Sequence, residues 1–202
     1  AGGTVSDAAN EMAALAIGAG MTCQGVICAG DAGAGEALAG QLHGFHSVVA
    51  LADAALTHYN PEAALNALAS VAADVSPDVI MTSYSTAGVD LAAALAVKSG
   101  REMVGYVSEL SVDGDQIAVA SQIYGGKLIA RTKLPVPAVL AVMPGAAKPA
   151  AASQTDTAPT VTVMPLDLST PRIRVQEVMA PDTSGLDLSK SEKIFCVGRA
   201  LG

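Results

Sequence analysis

The sequence predicts an α/β protein: a parallel sheet with helices on both faces, nucleotide-binding-like and of Rossmann type, with an antiparallel β extension. Two observations lead to this fold class. Up to about residue 107, apolar runs of strand length alternate with segments of helical periodicity, the pattern of strands joined by crossover helices. After residue 108 the helical segments stop, and glycine turns separate short strands, which is typical of hairpins.

The first part of the parallel region contains two helix–strand pairs. Ser6 and Asp7 are a cap residue and an acid in front of an apolar periodic segment, a helix start signal. The predicted elements are a helix over 7–18, a strand over 21–28, a helix over 35–42 and a strand over 46–51.

The second part repeats the pattern with stronger signals. Asn60, Pro61 and Glu62 provide a cap, a proline at the first helical position and an acid in the first turn. Gly100 ends the next helical segment. The predicted elements are a helix from 61 to 75, a strand over 78–82, a helix over 86–99 and a strand over 103–107.

The remaining chain is predicted to be β-rich. Asp113-Gly114 interrupts an apolar stretch as a hairpin turn does, and residues 124–127 mark a second tight turn. We expect strands over 110–120, 128–131 and 138–143 to extend the parallel sheet of residues 21–107 as antiparallel strands. The expected domains are 1–147 as the N-terminal α/β domain, 148–160 as a linker rich in Ala, Ser, Thr and Pro, and 161–202 as a crossing segment. That segment has strand-like runs at 161–163, 173–179 and 194–197, and we expect it to carry the chain away from the domain.

Composition excludes several classes of protein. The chain has 202 residues, 51% of them apolar, enough for a substantial core. No window approaches the roughly 18 apolar residues of a membrane span, and no basic residue leads into an apolar signal core. We therefore expect a soluble, intracellular protein without membrane insertion. The three cysteines show no CxxC pairing, which favours buried structural thiols over a metal or redox site.

Charge is distributed unevenly. Residues 1–97 contain nine Asp and Glu and no Lys or Arg, whereas the rest contains ten acidic and eleven basic residues. An acidic half repels phosphate backbones, so we expect no nucleic-acid partner. This half is either a solvated acidic face or a docking surface for a basic partner.

Few residues suggest chemistry of their own. His43, His46 and His58 lack the neighbouring acids and spacing of a metal site. The glycine-rich run 30–35 lacks the order of a phosphate-binding loop, and a flexible connection is favoured. Residues 83–88 are the best pocket candidate, since they are polar and follow a predicted strand where a helix begins. Simple capping of that helix by Ser85 or Thr86 is the alternative.

Six short motifs occur in order along nearly the whole chain. They are HYNPE at 58–62, SPDVI at 76–80, TAGVDLA at 86–92, IYGGK at 123–127, VMPGA at 142–146, and LDL at 186–188 leading to GRA at 198–200. None is specific by itself. Their order and spacing resemble the α subunit of electron-transfer flavoproteins.

This resemblance implies a function. Such a subunit has an N-terminal nucleotide-binding-like domain and a C-terminal domain that holds FAD, and it pairs with a β subunit. It is an electron carrier rather than an enzyme: it accepts electrons from acyl-CoA or other dehydrogenases through FAD and passes them to a quinone oxidoreductase or another acceptor. The implied location is the cytoplasm of a bacterium or archaeon, or the mitochondrial matrix of a eukaryote.

The resemblance also implies cofactor-binding residues. Gly198, Arg199 and Ala200 match the first glycine turn of the FAD-binding domain. In the family this turn usually has the sequence Gly-Gly-Arg-Gly. The rest of that domain does not follow, so we expect a fragment, a processed form or the ordered part of a longer chain, without tight FAD binding. The chain also departs from the family at positions where arginines are common; these are Val89, Ala94 and Met143.

Two other functions stay open at the level of sequence. One is a stand-alone α/β module that binds adenine nucleotides. The other is a hydrolase, for which the chain offers no nucleophile elbow and no catalytic constellation.

Overall fold

The computed structural model describes residues 3–149, 159–166, 168, 171–179 and 192–198. The helices are α1 (Asp7–Gly18), α2 (Ala32–Ala39), α3 (Pro61–Val75) and α4 (Thr86–Ser99), with a 3-10 turn at Ala54–Leu56. The strands are β1 (Gln24–Ala29), β2 (Ser47–Ala52), β3 (Val79–Ser83), β4 (Glu102–Asp113), β5 (Gln116–Ile123), β6 (Leu128–Pro135), β7 (Ala138–Val142) and β8 (Thr160–Pro165).

The strands form two sheets. The first has the order β1-β2-β8, and both pairings are parallel. The second has the order β3-β7-β4-β5-β6. In it β7 pairs in parallel with β3 and β4, whereas β5 pairs antiparallel with β4 and β6. The predicted α/β class, with parallel strands and an antiparallel extension, is confirmed.

Helices cover both faces of each sheet. In β2, Val48 faces the α2 side and Val49 faces α3, as the alternation of side chains along a strand requires. In β7, Leu140 faces the core against which α1 packs, and Val139 faces α4. All five residues of β7 are buried, because this strand has a neighbour at each edge and a helix on each face.

Local capping signals determine where the helices begin. Ser6 and Asn60 cap α1 and α3 as predicted, and α4 has its predicted bounds. The prediction of 35–42 for α2 was wrong by three residues at both ends. Asp31 Oδ1 accepts a 2.9 Å hydrogen bond from the Ala34 amide, so the helix begins at Ala32 and part of the supposed flexible run is its first turn.

Two predictions about the sheet need correction. Residues 21–107 do not form one hydrogen-bonded parallel sheet, since β1 and β3 belong to different sheets. The strand predicted at 138–143 is β7, and it joins the parallel part of its sheet rather than the antiparallel extension. Its fully apolar sequence favours this central position, where both faces are covered.

The chain after residue 159 also differs from expectation. Residues 161–163 lie in β8, which does not leave the domain but pairs with β2 in parallel register, Ser47 opposite Thr160. Residues 173–179 and 194–197 form no strand, because an apolar run needs a partner edge to become one. Phe195, for example, is 90% exposed. Residues 150–158 of the predicted linker lie outside the described residues, and the division at 148–160 stays a prediction.

Candidate functional site

The polar candidate segment lies where β3 ends and α4 begins. The amide of Tyr84 donates to the carbonyl of Val142 at 2.6 Å, and the amide of Ser85 donates to the carbonyl of Ser83 at 2.8 Å. The chain therefore turns sharply beside the carboxyl end of β7. This edge of the second sheet is the place where parallel α/β sheets usually bind ligands.

The turn into α4 is tightly constrained. Ser85 Oγ accepts a 3.1 Å hydrogen bond from the amide of Gly88, so Ser85 is the cap. Thr82 Oγ1 donates to the carbonyl of Gly88 at 2.9 Å. A Cβ atom at position 88 would overlap the carbonyl oxygen of Ser83. The capping interpretation of residues 83–88 is thus confirmed, and glycine is required at position 88.

Two tyrosines lie together at this edge; Tyr84 belongs to the predicted candidate segment 83–88, whereas Tyr106 was not predicted. The ring centroids of Tyr84 and Tyr106 are 4.0 Å apart with a 33° tilt. The pKa of Tyr84 is raised above its usual value, first by side-chain hydrogen bonding with Tyr106 and then by burial. Gly105 allows this contact, because a Cβ there would come within 3.3 Å of the Tyr84 ring.

Tyr106 occupies an irregular position in β4. Its φ is 54°, in the left-handed region that non-glycine residues rarely adopt. The register of β4 shifts between Val104 and Val107 against β7, so Tyr106 lies in a bulge. Bulges re-aim side chains at functional edges of sheets. A glycine inside a strand pattern, here Gly105, is the one sequence signal for this bulge.

A small cavity adjoins the bulge. Its volume is about 310 Å³, and it is lined by Tyr106 and by residues 122–126 of the β5–β6 turn. Tyr124 is 76% exposed, and Ile123 and Tyr106 are also exposed. We call Tyr84, Tyr106, Ile123 and Tyr124 the tyrosine edge. Aromatic side chains with exposed apolar surface are typical of the core of protein interfaces.

A fourth tyrosine contacts the other side of α4. The Tyr59 hydroxyl lies 3.4 Å from the carbonyl oxygen of Ala87 and 3.5 Å from Oδ2 of Asp90. The pKa of Tyr59 is raised by burial and by the negative charge of Asp90. This contact fixes the HYNPE segment against the start of α4.

The chain after β8 is fastened to the first sheet and to α3. Leu168 donates its amide to Asp53 Oδ2 at 3.0 Å. The amide and Nε of Arg172 donate to the Glu62 carboxylate at 2.7 and 2.8 Å. No sequence signal predicts these contacts, because they join residues more than 100 positions apart.

Of the predicted cofactor-binding residues, only Gly198 is described. It is exposed, and no neighbouring atom lies within 4 Å of the place that a Cβ would take, while Arg199 and Ala200 lie outside the described residues. Ile194, Phe195 and Val197 beside it are exposed as well. A dinucleotide needs an enclosing, largely apolar pocket. The described residues around Gly198 therefore do not fit FAD as they stand.

The histidine and cysteine side chains considered in the sequence analysis form no site among the described residues. Within the described ranges, no cluster of three His, Cys, Asp or Glu side chains could hold a metal ion. Burial raises the pKa of Cys28 to about 11 and also raises that of Cys23, as expected for inert core thiols. Cys196 is exposed, contrary to the prediction of three buried thiols.

Of the helices in the described ranges, none combines the length and the apolar character that a membrane crossing requires.

These features define a class: an α/β protein with one parallel and one mixed sheet, in which Tyr84 and Tyr106 lie together at the carboxyl end of the parallel strands of the mixed sheet. Comparison with known proteins then shows the family. Residues 2–168 match the family model described as the electron transfer flavoprotein domain. The chain therefore belongs to the electron transfer flavoprotein domain family.

Two curated proteins are similar to this chain. The Bacillus subtilis (strain 168) protein "Electron transfer flavoprotein subunit alpha" is 26% identical over 162 residues, covering 79% of this chain and 49% of the relative. The Escherichia coli (strain K12) protein "Putative electron transfer flavoprotein subunit YdiR" is 28% identical over 135 residues, covering 66% of this chain and 43% of the relative. The chain thus spans less than half the length of each.

Proposed function

We propose that this chain is part of the α subunit of an electron-transfer flavoprotein, an electron carrier rather than an enzyme. In this proposal the α/β domain is a scaffold and a docking surface. The redox chemistry belongs to FAD, held by a second domain. A β subunit is the permanent partner, acyl-CoA or other dehydrogenases deliver electrons, and a quinone oxidoreductase or another acceptor receives them.

The family match over residues 2–168 is the observation that carries this proposal. The geometry also supports the assignment of a docking role to this domain and of the redox chemistry to another. The tyrosine edge offers exposed aromatic and apolar surface, and within the described residues the turn at Ser83–Gly88 is occupied by capping hydrogen bonds. A surface of this kind suits contact with protein better than proton transfer or bond cleavage.

Gly198, Arg199 and Ala200 are proposed as the first cofactor contacts of the FAD-binding domain. Glycine allows close approach of the backbone to a pyrophosphate, and arginine supplies a delocalised cation with several donors. A fixed positive charge near the flavin favours its more negative state.

The test uses the complete polypeptide expressed with its β subunit. We expect a heterodimer with a flavin absorbance spectrum. Arg199→Ala should lower the flavin reduction potential and weaken FAD retention by about 1 to 3 kcal/mol, the effect of losing a charge-assisted hydrogen bond. Lys193→Ala, which removes a charge at an exposed position six residues earlier in the chain, is the matched control and should do neither.

The alternative outcomes are distinct. A complete protein without flavin, together with tight adenine-nucleotide binding by residues 1–202, would favour the stand-alone nucleotide-binding module. A yellow heterodimer in which Arg199→Ala behaves as Lys193→Ala would preserve the subunit assignment and refute the role of Arg199.

A further inference from the structure

Two tyrosines meet across the carboxyl end of β7. Tyr84 directly follows β3 and Tyr106 lies in the bulge of β4, and β7 is the strand between these two in the sheet. The ring centroids are 4.0 Å apart and the ring planes are inclined by 33°. At this separation carbon atoms of the two rings lie near van der Waals contact. We call Tyr84 and Tyr106 the tyrosine pair.

The hydroxyl ends of the two rings face each other. Side-chain hydrogen bonding with Tyr106 is the largest cause of the raised pKa of Tyr84, and such a bond requires neighbouring phenol oxygens. The two Cε carbons of each ring flank its hydroxyl group, so they come together as well. Cε2 of Tyr84 lies over Gly105, 3.3 Å from the place that a Cβ would take. The pair thus brings together the ring carbons at which phenols couple when they are oxidised.

Backbone hydrogen bonds hold the tyrosine pair in place. The amide of Tyr84 donates to the carbonyl of Val142 at 2.6 Å, and the amide of Met143 donates to the carbonyl of Val107, the neighbour of Tyr106, at 2.8 Å. Both tyrosines are therefore attached to the end of β7. Reacting groups that a fold holds in contact react as if at effective concentrations that reach about 10⁵ M or more, far above those of separate protein molecules.

One ring of the pair is open to solvent and the other is shielded. Tyr106 is 46% exposed and lines the cavity of about 310 Å³ at the β5–β6 turn. Tyr84 is half-buried and packs against the cluster between β7 and α4. An oxidant in solution therefore reaches Tyr106, whereas a second protein chain is kept from Tyr84. The sequence contains no tryptophan, so its tyrosines are the most easily oxidised aromatic side chains.

We propose that the tyrosine pair is a site of oxidative modification, at which a peroxidase-type one-electron oxidant joins Tyr84 to Tyr106 as an intramolecular dityrosine. Each phenol loses one electron to the oxidant and its hydroxyl proton to water. The two phenoxyl radicals then form one carbon–carbon bond between a Cε atom of each ring. Each of these carbons releases its hydrogen as a proton, and each oxygen regains one, which restores two phenols. Hydrogen peroxide takes up the two electrons and two protons and becomes two molecules of water.

The crosslink has a structural consequence. Tyr84 and Tyr106 precede and follow α4 in the chain, so their bond closes a loop that contains this helix and joins the ends of β3 and β4 across β7. Closing a loop restricts the unfolded chain more than the folded one, as a disulfide does. The crosslinked chain should therefore unfold at a higher urea concentration than the unmodified chain.

The experiment uses the four tyrosines of the 202-residue chain in two matched double variants. Tyr59→Phe with Tyr124→Phe leaves only the tyrosine pair, and Tyr84→Phe with Tyr106→Phe leaves only the other two. Both chains are alkylated at the exposed thiol of Cys196, because a thiol would be oxidised first, and are then treated with a haem peroxidase and hydrogen peroxide.

The readout is the dityrosine fluorescence of the monomer, separated by size-exclusion chromatography, with the linked peptides identified by mass spectrometry. The monomer that keeps the pair should contain about tenfold more dityrosine than the other monomer, since only there do two rings lie in contact. Its yield should not depend on protein concentration.

Three results would overturn the proposal. They are a monomer without dityrosine when only the pair is present, equal yields in the two monomers, and dityrosine confined to covalent dimers, which would show that exposed rings of separate chains couple. If the variant that lacks Tyr59 and Tyr124 does not fold, Tyr124→Phe alone provides the readout. A linked peptide that joins positions 84 and 106 of one chain then supports the proposal, and its absence refutes it.

Discussion

Asn60 Nδ2 donates a 2.7 Å hydrogen bond to the carbonyl oxygen of Ile173, 113 positions further along the chain. The same side chain caps α3, because its Oδ1 accepts from the amides of Glu62 and Ala63 at 3.1 Å. Asn60 is only 3% exposed. The start of α3 therefore also fixes the chain that follows β8, and this gives one side chain two separable roles.

Substitutions at Asn60 should separate these roles. Asn60→Asp keeps the capping oxygen but replaces the donor by a carboxylate oxygen that faces the Ile173 carbonyl in a buried site, so we expect a loss of about 2 to 3 kcal/mol in the free energy of unfolding. Asn60→Ala removes both the cap and the donor without adding a charge and should lose about 2 kcal/mol. Urea denaturation measures both. Hydrogen exchange should quicken in each variant at the amides of Arg172 and Ile173, which donate hydrogen bonds to Glu62. Unchanged exchange of these amides in Asn60→Asp would contradict a role of Asn60 in holding this segment.

The pair of Glu62 and Arg172 predicts a pH dependence. Side-chain hydrogen bonding from Arg172 lowers the pKa of Glu62 below its usual value. A carboxyl with a depressed folded-state pKa stabilises the fold above its unfolded pKa of about 4.3, and this contribution disappears as the pH falls through the folded value. Protection of the Arg172 and Ile173 amides should therefore fall with pH below about 4.

The control for this prediction is an acid elsewhere on the domain. Glu62→Gln should remove the pH dependence of these two amides and leave them weakly protected at neutral pH. Glu36→Gln, on exposed α2 surface, should leave their profile unchanged. A Glu62→Gln variant with the parental profile would show that another group titrates.

The predictable parts of this fold are those with local signals. Ser6, Asn60, Ser85 and Gly100 are cap residues, and the helices they bound were predicted to within a residue or two. The apolar run at residues 161–163 predicts a strand. Its partner β2 could not be predicted, because the two strands are more than 100 positions apart in the chain. The stacking of Tyr84 on Tyr106 likewise requires the order β3-β7-β4 and a bulge, neither of which periodicity reveals.

Gly88 should be among the least replaceable glycines of the domain. A Cβ atom would overlap the Ser83 carbonyl, so Gly88→Ala must shift the turn between β3 and α4. We expect a loss of about 1 to 3 kcal/mol in the free energy of unfolding, the usual range for overpacking. Gly18→Ala, at a helical position with open space around it, should be neutral or stabilising by up to about 1 kcal/mol. Equal effects would contradict the close approach.

The contact between Tyr84 and Tyr106 can be measured by alkaline titration. The raised pKa of Tyr84 means that the folded state holds its proton more tightly than the unfolded state, so this contribution to stability is lost as the pH rises above about 10. Tyr106→Phe should bring the pKa of Tyr84 closer to its usual value. The ultraviolet absorbance of tyrosinate measures this titration. Tyr124 is an exposed tyrosine nearby, and Tyr124→Phe should leave the raised pKa of Tyr84 unchanged.

The tyrosine edge predicts where a partner protein docks, if the proposed heterodimer is correct. Tyr124 lies in the exposed turn, and Leu128, which is also exposed, pairs with Ile123 across it. Tyr124→Glu and Leu128→Glu each place a charge in apolar contact surface without disturbing the core. Each should therefore weaken association with the β subunit by about tenfold or more, at nearly unchanged stability. Val97→Glu introduces the same charge at a site on α4 that is 86% exposed, and it should not change the affinity. Calorimetric titration of the two subunits distinguishes these outcomes: equal affinities for all three variants would place the subunit interface elsewhere on the domain.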